Sequence, residues 1–342
     1  MKKRTMQEIA RMAGFSLATV SRTIHSPHLV KPKTRERILR VMEENRYVYN
    51  ATAGEFSKKR SNVIGIIIPT TRGAIFSNST QAIAAKAREK GFSLIIGSTG
   101  YDRDVEHSLL LQFQERRLAG VVLTGFTLGQ EKTIEDLLES GIPCVVVWET
   151  LDNPELSFVG FDNFKAAYSV TEYLIRLKHR RIGLIAGPFS KVGRVKKRLI
   201  GYRVALKDHD ISFDPSLVIE KSPTLEDGKQ AMVQLLSLPE RPTAVFAASD
   251  MLALGAMAGA KERGLRIPDD ISVAGFDDID FAAYWDPPLT TVRVPASEMG
   301  EIAVTSLIKM IEGGAGVREQ VSLDTQLVIR DSCREFTECR TK

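Results

Sequence analysis

Beyond residue 61 the chain alternates short apolar runs with amphipathic helical ones, and few folds tolerate that alternation. "VIGIII", "QAIAAKAREKG", "SLIIGS", "VEHSLLLQFQERRL" and "GVVLTG" follow one another, and "IPCVVVWE" comes after a further helical stretch. Buried apolar strands separated by helices predict parallel sheets with helices on both faces. The scheme then restarts: "RIGLIAG" echoes "VIGIII", and "SLVIEKS", "AVFAAS" and "ISVAGFDD" continue it. Two α/β lobes of similar build are expected, facing each other across a cleft. Such sheets bind small molecules at the carboxyl ends of their strands. The first strand leads into "IIIPTTRGAIF", which is neither a dinucleotide fingerprint nor a phosphate loop.

The first 60 residues follow a different plan. In "TMQEIARMAGFSLATVSRTIH", Thr5 and Glu8 have capping-box spacing, and Ile9, Ala10 and Ala13 form one apolar stripe. Gly14 suits the left-handed end of a helix, and Ser16 suits the cap of the next. Val20 and Ile24 share a face that can pack against Ile9 and Ala13. The spacing is that of a helix-turn-helix, with Leu17, Ala18, Ser21 and Arg22 on the outer face of its second helix. An αα-corner inside a helical core has the same spacing. Charge separates the two readings. These 60 residues hold 14 Lys+Arg against 5 Asp+Glu, or +9, whereas the whole chain carries +5 and the other 282 residues therefore −4. A basic head on a slightly acidic body is the footprint of a phosphate-binding module. RNA or an anionic membrane would satisfy the charge but not the helix-turn-helix, so DNA is the expected partner. A third helix, "KPKTRERILRVMEENRY", has Pro32 in its first turn and Ile38, Val41 and Met42 to close a three-helix core. The linker "NATAGEFSKKRSN" that follows is small, polar and basic, with Phe56 as its one large apolar residue. Phe56 either packs locally or wedges into a minor groove.

Composition excludes several classes. The hydrophobic share of 43% is that of an ordinary globular protein, and 342 residues imply two or three domains. "MKKRTMQEIARM" lacks the apolar run of a signal peptide, and no stretch reaches the length of a membrane span. Cys144, Cys333 and Cys339 have no zinc spacing and leave one unpaired, which suits a reducing cytoplasm; with DNA as the expected partner, a cytoplasmic, nucleoid-associated protein is expected. Asp277, Asp278 and Asp280 could form an acid/base or metal cluster. No His, Cys or Lys motif supports them, and the five histidines are scattered. No catalytic residue, metal or cofactor is expected. A transport binding protein would share the two-lobed body but would need a signal peptide and no basic head.

Several stretches carry a family resemblance across nearly the whole chain, in order. They are "MQEIARMAGFSLATVSRTIH", "RYVYNATAGEF", "AGPFSKVGRVKKRLIGY", "FAASDMLALGAM", "ISVAGFDDIDFAAYWDPPLTTVRVP" and "EMGEIAV". Together they resemble the lactose-repressor and purine-repressor family of bacterial transcription regulators, and the head is most similar to gluconate-type repressors. The resemblance implies a helix-turn-helix head at 1–49, a hinge helix at 50–61 and a periplasmic-binding-protein-like body at 62–342. Lobe one would take about 62–160 plus 294–322, and lobe two about 161–293 plus 323–332. It also implies a homodimer on a pseudopalindromic operator. Leu17, Ala18 and Arg22 would then face major-groove bases, with Arg22 able to grip guanine and the other two offering apolar contact. Thr5, Ser16, Thr19, Ser21, Thr34 and Asn50 would serve phosphates and register. Ala53 and Phe56 would lie in the hinge on the DNA. Phe56 replaces the family's usual leucine, and Tyr49 stands where proline is common.

The effector pocket implied by the resemblance comprises Phe76, Thr124, Trp148, Arg198, Ser249 and Asp277. Phe76 and Trp148 would supply flat walls, Arg198 and Asp277 charge-assisted hydrogen bonds. Core packing for Trp148, a turn for Asp277 and a solvated charge for Arg198 are the plainer alternatives. Pro223 takes the place of an aromatic wall common in the family. The cationic stretch "SKVGRVKKR" favours an anionic effector, a sugar acid such as gluconate first and a sugar phosphate second. A catabolite-control regulator that answers to a phosphocarrier protein is the alternative. The C-terminus "CREFTECRTK" has no leucine heptads, so a dimer is expected rather than a coiled-coil tetramer.

Overall fold

The computed structural model describes residues 4–49, 61–71, 74–126, 131–313 and 317–337. Asn50, Ala53 and Phe56, expected in the hinge, lie outside the described residues. The chain divides into two compact units, 1–61 and 62–342.

In the first unit, α1 (Met6–Ala13), α2 (Leu17–His25) and α3 (Pro32–Glu44) form a three-helix bundle, with a 3-10 turn at Pro27–Leu29. Both halves of the capping box are present: Glu8 N–H donates to Thr5 Oγ1 at 3.2 Å, and Thr5 N–H donates to Glu8 Oε2 at 2.7 Å. Gly14 ends α1 at φ 76°, and its N–H reaches the Ala10 and Arg11 carbonyls. Ser16 Oγ accepts from Thr19 N–H and opens α2. Ile9, Ala10, Ala13, Val20 and Ile38 close the core, with Ile24, Val41 and Met42 packed around them. The turn between the helices is thus set by local caps, and its angle by five small or branched side chains.

The second unit has two lobes. Lobe one is a six-stranded, all-parallel sheet in the order β11-β5-β4-β3-β1-β2. Its strands are β1 (Val63–Ile68), β2 (Ser93–Ser98), β3 (Gly120–Thr124), β4 (Cys144–Val147), β5 (Ser157–Phe161) and β11 (Gln320–Leu323). The helices α4 (Ala74–Glu89), α5 (Arg103–Glu115) and α6 (Glu131–Glu139) connect the strands, and α12 (Ala296–Gly313) packs on α4 and the sheet. Lobe two is a parallel sheet in the order β7-β6-β8-β9, built from β6 (Ile182–Ala186), β7 (Val218–Glu220), β8 (Ala244–Ala247) and β9 (Ser272–Ala274). Its helices are α7 (Asn163–Arg176), α8 (Gly193–Asp208), α9 (Leu225–Leu236), α10 (Asp250–Glu262) and the short α11 (Asp280–Tyr284). An antiparallel pair, β10 (Thr291–Arg293) and β12 (Gln326–Val328), extends beside it. The chain crosses between lobes three times: after β5, between β10 and α12, and between β11 and β12. Three crossings make a hinge and leave the cleft open along the strands' carboxyl ends.

Among the described residues no helix is long and apolar enough to cross a membrane, and no cluster of His, Cys, Asp and Glu could hold a metal ion.

Backbone-to-backbone contact fixes the packing of α9 on α10. A Cβ at Gly228 would lie 2.3 Å from the Leu252 carbonyl oxygen, and one at Gly255 would lie 2.0 Å from that of Leu225. Gly255→Ala gains roughly 1 kcal/mol of helix propensity but forces these two helices apart, a cost of about 1–3 kcal/mol. Net destabilisation is the expected result in urea unfolding. An unchanged or higher midpoint would show that the helices separate freely.

Candidate functional site

On the head, one face of α2 is open to solvent. Leu17, Ala18 and Arg22 are exposed on α2, and Ser21 is half-buried beside them. Thr5 and Ser16 sit at the N-termini of α1 and α2, where backbone N–H groups favour anions. Their hydroxyls are already engaged in caps, and Ser16 Oγ lies 2.8 Å from Thr19 Oγ1. Thr34 is half-buried in the first turn of α3.

The carboxyl ends of both sheets line a cleft with about 630 Å³ of empty space, its opening to solvent included. Five of the six expected effector residues line it: Phe76, Trp148, Arg198, Ser249 and Asp277. Thr124 is the exception. It lines a smaller adjoining recess, and its carbonyl accepts a hydrogen bond from Arg194 Nη1 at 3.0 Å. The peptide group, not the side chain, holds that position.

Arg198 is buried and not a solvated charge. Its Nε donates to Asn163 Oδ1 at 2.9 Å and its Nη1 to the Ala248 carbonyl at 2.7 Å, while the guanidinium lies 3.7 Å from the Phe276 ring centroid. A guanidinium has five N–H donors, so others remain for the cavity. Burial pushes its pKa down to about 10, against the pull of Asp277; it stays charged at neutral pH. Asn163 completes a bridge, since its Nδ2 donates to the Trp148 carbonyl at 2.8 Å. A buried Asn thereby joins the arginine of lobe two to the tryptophan of lobe one.

Trp148 is both core and wall. It is 1% exposed and stacks edge-on with Phe76 and Phe161, yet its indole Nε1 is buried with no hydrogen-bond partner. An orphaned donor at a cavity wall is a place for a ligand oxygen. Backbone strain gathers here as well. Of the eight described non-glycine residues at positive φ, Tyr101, Trp148 and Asp277 line this cavity. Each such residue costs about 1–3 kcal/mol, and such outliers concentrate at ligand sites.

Asp277 lies in a tight turn but its side chain is buried at the cavity. Burial pushes its carboxyl well above the usual range, against the opposing pull of Arg198. Asp250 is also raised by burial, though it accepts from Thr291 Oγ1 at 2.5 Å and from Ile279 N–H at 2.9 Å. Asp278 turns away and pairs with Arg293 at 2.7 Å and Arg330 at 2.6 Å. Asp280 is exposed at the start of α11, so Asp277, Asp278 and Asp280 are dispersed and form no common cluster.

Sequence reasoning placed Arg194 with its basic neighbours at the mouth of the cleft but did not single out Tyr101 or Asn163 as site residues. Tyr101 could have been found, because it lies three residues past the carboxyl end of "SLIIGS". Asn163 sits one position after the α7 cap and carries no such signal.

A raised carboxyl keeps its proton when folded while the unfolded chain releases it near pH 4. Between that pH and the raised value the folded state binds more protons, so stability falls as pH rises. Asp277→Asn removes this loss. The parent's thermal midpoint should drop from pH 5 to pH 8 by more than that of Asp277→Asn, and parallel curves would refute the assignment.

Residues 5–50 match the family of bacterial regulatory proteins, lacI family, and residues 171–333 match the periplasmic binding protein-like domain. The HTH-type transcriptional repressor CytR of Escherichia coli (strain K12) is 35% identical over 333 residues, covering 96% of each chain. The crystal structure of the lac repressor dimer bound to operator and the anti-inducer ONPF superposes with a TM-score of 0.84 at 28% identity, covering 97% of this chain and 100% of that one. The complex of the transcriptional regulator CelR with cellobiose gives 0.70 at 29% identity, with 96% and 100% covered. These relatives are regulators, not enzymes. The chain belongs to the lacI family of bacterial regulatory proteins.

Proposed function

We propose that this protein is a transcription repressor that binds a pseudopalindromic operator as a homodimer and is controlled by a small anionic effector held between its lobes. The observation that carries the reading is the cavity wall. Two buried guanidiniums, Arg194 and Arg198, face one carboxyl, Asp277, which burial holds above the usual carboxylate range. Cations therefore outnumber carboxylates on the wall, which suits an anion. Phe76 and Trp148 add flat apolar faces, which suit a sugar ring. The CelR relative holds cellobiose and the lac repressor relative an anti-inducer, which supports a sugar-type ligand here. A sugar acid such as gluconate fits first and a sugar phosphate second, because a planar guanidinium matches carboxylate and phosphate oxygens.

For the homodimer, both lobes leave apolar side chains in solvent. Ile96 and Leu111 are exposed on lobe one, and Phe281 and Tyr284 are 63% and 88% exposed on lobe two. A second copy is the partner that a pseudopalindrome requires, and the dimeric lac repressor relative supports it. Effector binding favours one relative orientation of the lobes and so changes the spacing of the two heads. The coupling is reciprocal: operator weakens or strengthens the effector as much as effector does operator.

Two experiments test the reading. Arg22→Ala should cut discrimination between a selected operator and random duplex by about 1–3 kcal/mol per half-site while leaving salt-sensitive binding to either. Fluorescence anisotropy with both duplexes measures it, and undiminished discrimination would unseat α2 as the reading helix. Calorimetry on the full chain should show gluconate binding at least about tenfold more tightly than glucose, the worth of one charge-assisted contact. Arg198→Ala should abolish binding of both, since it also frees Asn163 and the Ala248 carbonyl. Tighter binding of glucose would overturn the anionic reading.

A further inference from the structure

The five cations of "SKVGRVKKR" divide by direction. Lys191 and Lys196 are exposed, whereas Arg194, Lys197 and Arg198 turn inward. Arg194 lies four residues before Arg198, on the same face of α8. It is 4% exposed, and its Nη1 donates across the cleft to the Thr124 carbonyl at the end of β3. Lys197 Nζ makes a second crossing to the Thr150 carbonyl at 2.8 Å. The first turns of α8, in lobe two, are thus fastened to lobe one at two points.

The two fastenings differ in one respect. Lys197 is half-buried with its charge near water, but Arg194 is a buried guanidinium without an ion pair among the described residues. Its partners are a neutral carbonyl and the Phe76 ring, 5.9 Å away at the centroid. Glu149 is buried close by, yet its Oε1 accepts from Phe126 N–H. Room for the guanidinium exists because residue 125 is glycine: a Cβ there would lie 2.5 Å from Arg194 Nη1. Buried charges are costly unless paired. Glu149 and Asp277 share its surroundings without closing an ion pair, and Arg194 lines both the main cavity and its recess, so a ligand anion has a place to pair with it.

We infer that Arg194 is the specificity-determining residue for effector charge. It takes the ligand's carboxylate or phosphate with its remaining donors while Nη1 holds lobe one, so that an anionic ligand and lobe closure stabilise each other. This inference rests on the effector-binding reading above. Arg198 anchors any ligand through the interlobe bridge; Arg194 distinguishes an acid from a neutral sugar.

The test uses the full chain, its Arg194→Gln variant and its Lys197→Gln variant, titrated calorimetrically with gluconate, glucose 6-phosphate and glucose. Glutamine keeps one donor for the Thr124 carbonyl and removes the charge. Arg194→Gln should lose about tenfold or more in affinity for both anions and change less than about threefold for glucose, erasing the acid preference. Lys197→Gln should shift all three probes alike, because it fastens the lobes without touching the cavity. Small-angle scattering should show compaction on adding gluconate to the parent and not to Arg194→Gln. If Arg194→Gln keeps the parent's acid-to-sugar ratio, the inference fails while the effector reading stands. A parent that takes glucose but neither anion overturns both.

Discussion

The body is held together at its functional centre by one buried guanidinium. Arg198 reaches from α8 to Asn163 at the start of α7 and to the Ala248 carbonyl after β8, and it lies flat on Phe276. Asn163 passes the connection to the Trp148 carbonyl in lobe one. A charge removed from water is tolerated only where its donors and its field are met. Every element that meets Arg198 is therefore fixed relative to the others, and the cavity walls are fixed with them. A ligand that competes for any of these donors acts at once on both lobes.

The same centre carries three of the eight described non-glycine residues at positive φ, together with a carboxyl that burial holds above its usual range. Trp148 and Asp277 have φ of 78° and 122°, values that an unhurried loop would leave to glycine. Met299 Sδ accepts the Trp148 N–H at 3.1 Å from the long helix α12, which helps hold a conformation the tryptophan would not adopt alone. Asp277 is kept beside Arg198 in surroundings that resist its ionisation. Strain of this kind persists because neighbouring packing over-determines the geometry, and it leaves the site responsive to small shifts of either lobe.

The head depends on a different balance. Its core is five small or branched side chains, and its helix ends are set by residues three apart in sequence. Such a unit needs little from its surroundings to hold α2 in shape, while Leu17, Ala18 and Arg22 stay outside the core and free for another surface. The body is joined differently: polar contacts from α8 and the approach of Phe161 to Phe276 tie its lobes over long stretches of sequence.

Local signals made much of this legible in advance. The caps at Thr5, Gly14 and Ser16 and the stripe of Ile9, Ala10 and Ala13 specified the head, because helix ends and apolar periodicity are short-range properties. The repeated alternation of apolar runs with helices specified two parallel-sheet lobes, because a strand buried on both faces cannot afford polar positions. The rule that ligands bind at strand carboxyl ends gave the cavity's place, while Phe76, Trp148, Arg198, Ser249 and Asp277 came from the family resemblance. Tertiary structure alone decided which cations of "SKVGRVKKR" turn inward, that Thr124 contributes its carbonyl, and that Asn163 joins the lobes. The physical reason is the range of the interaction. A capping box closes over three residues, whereas the Arg194 to Thr124 bond spans 70 residues and Arg198 to Ala248 spans 50. Only the folded packing of α8 against the end of β3 determines which of several neighbouring basic side chains finds a buried acceptor and which stays in water.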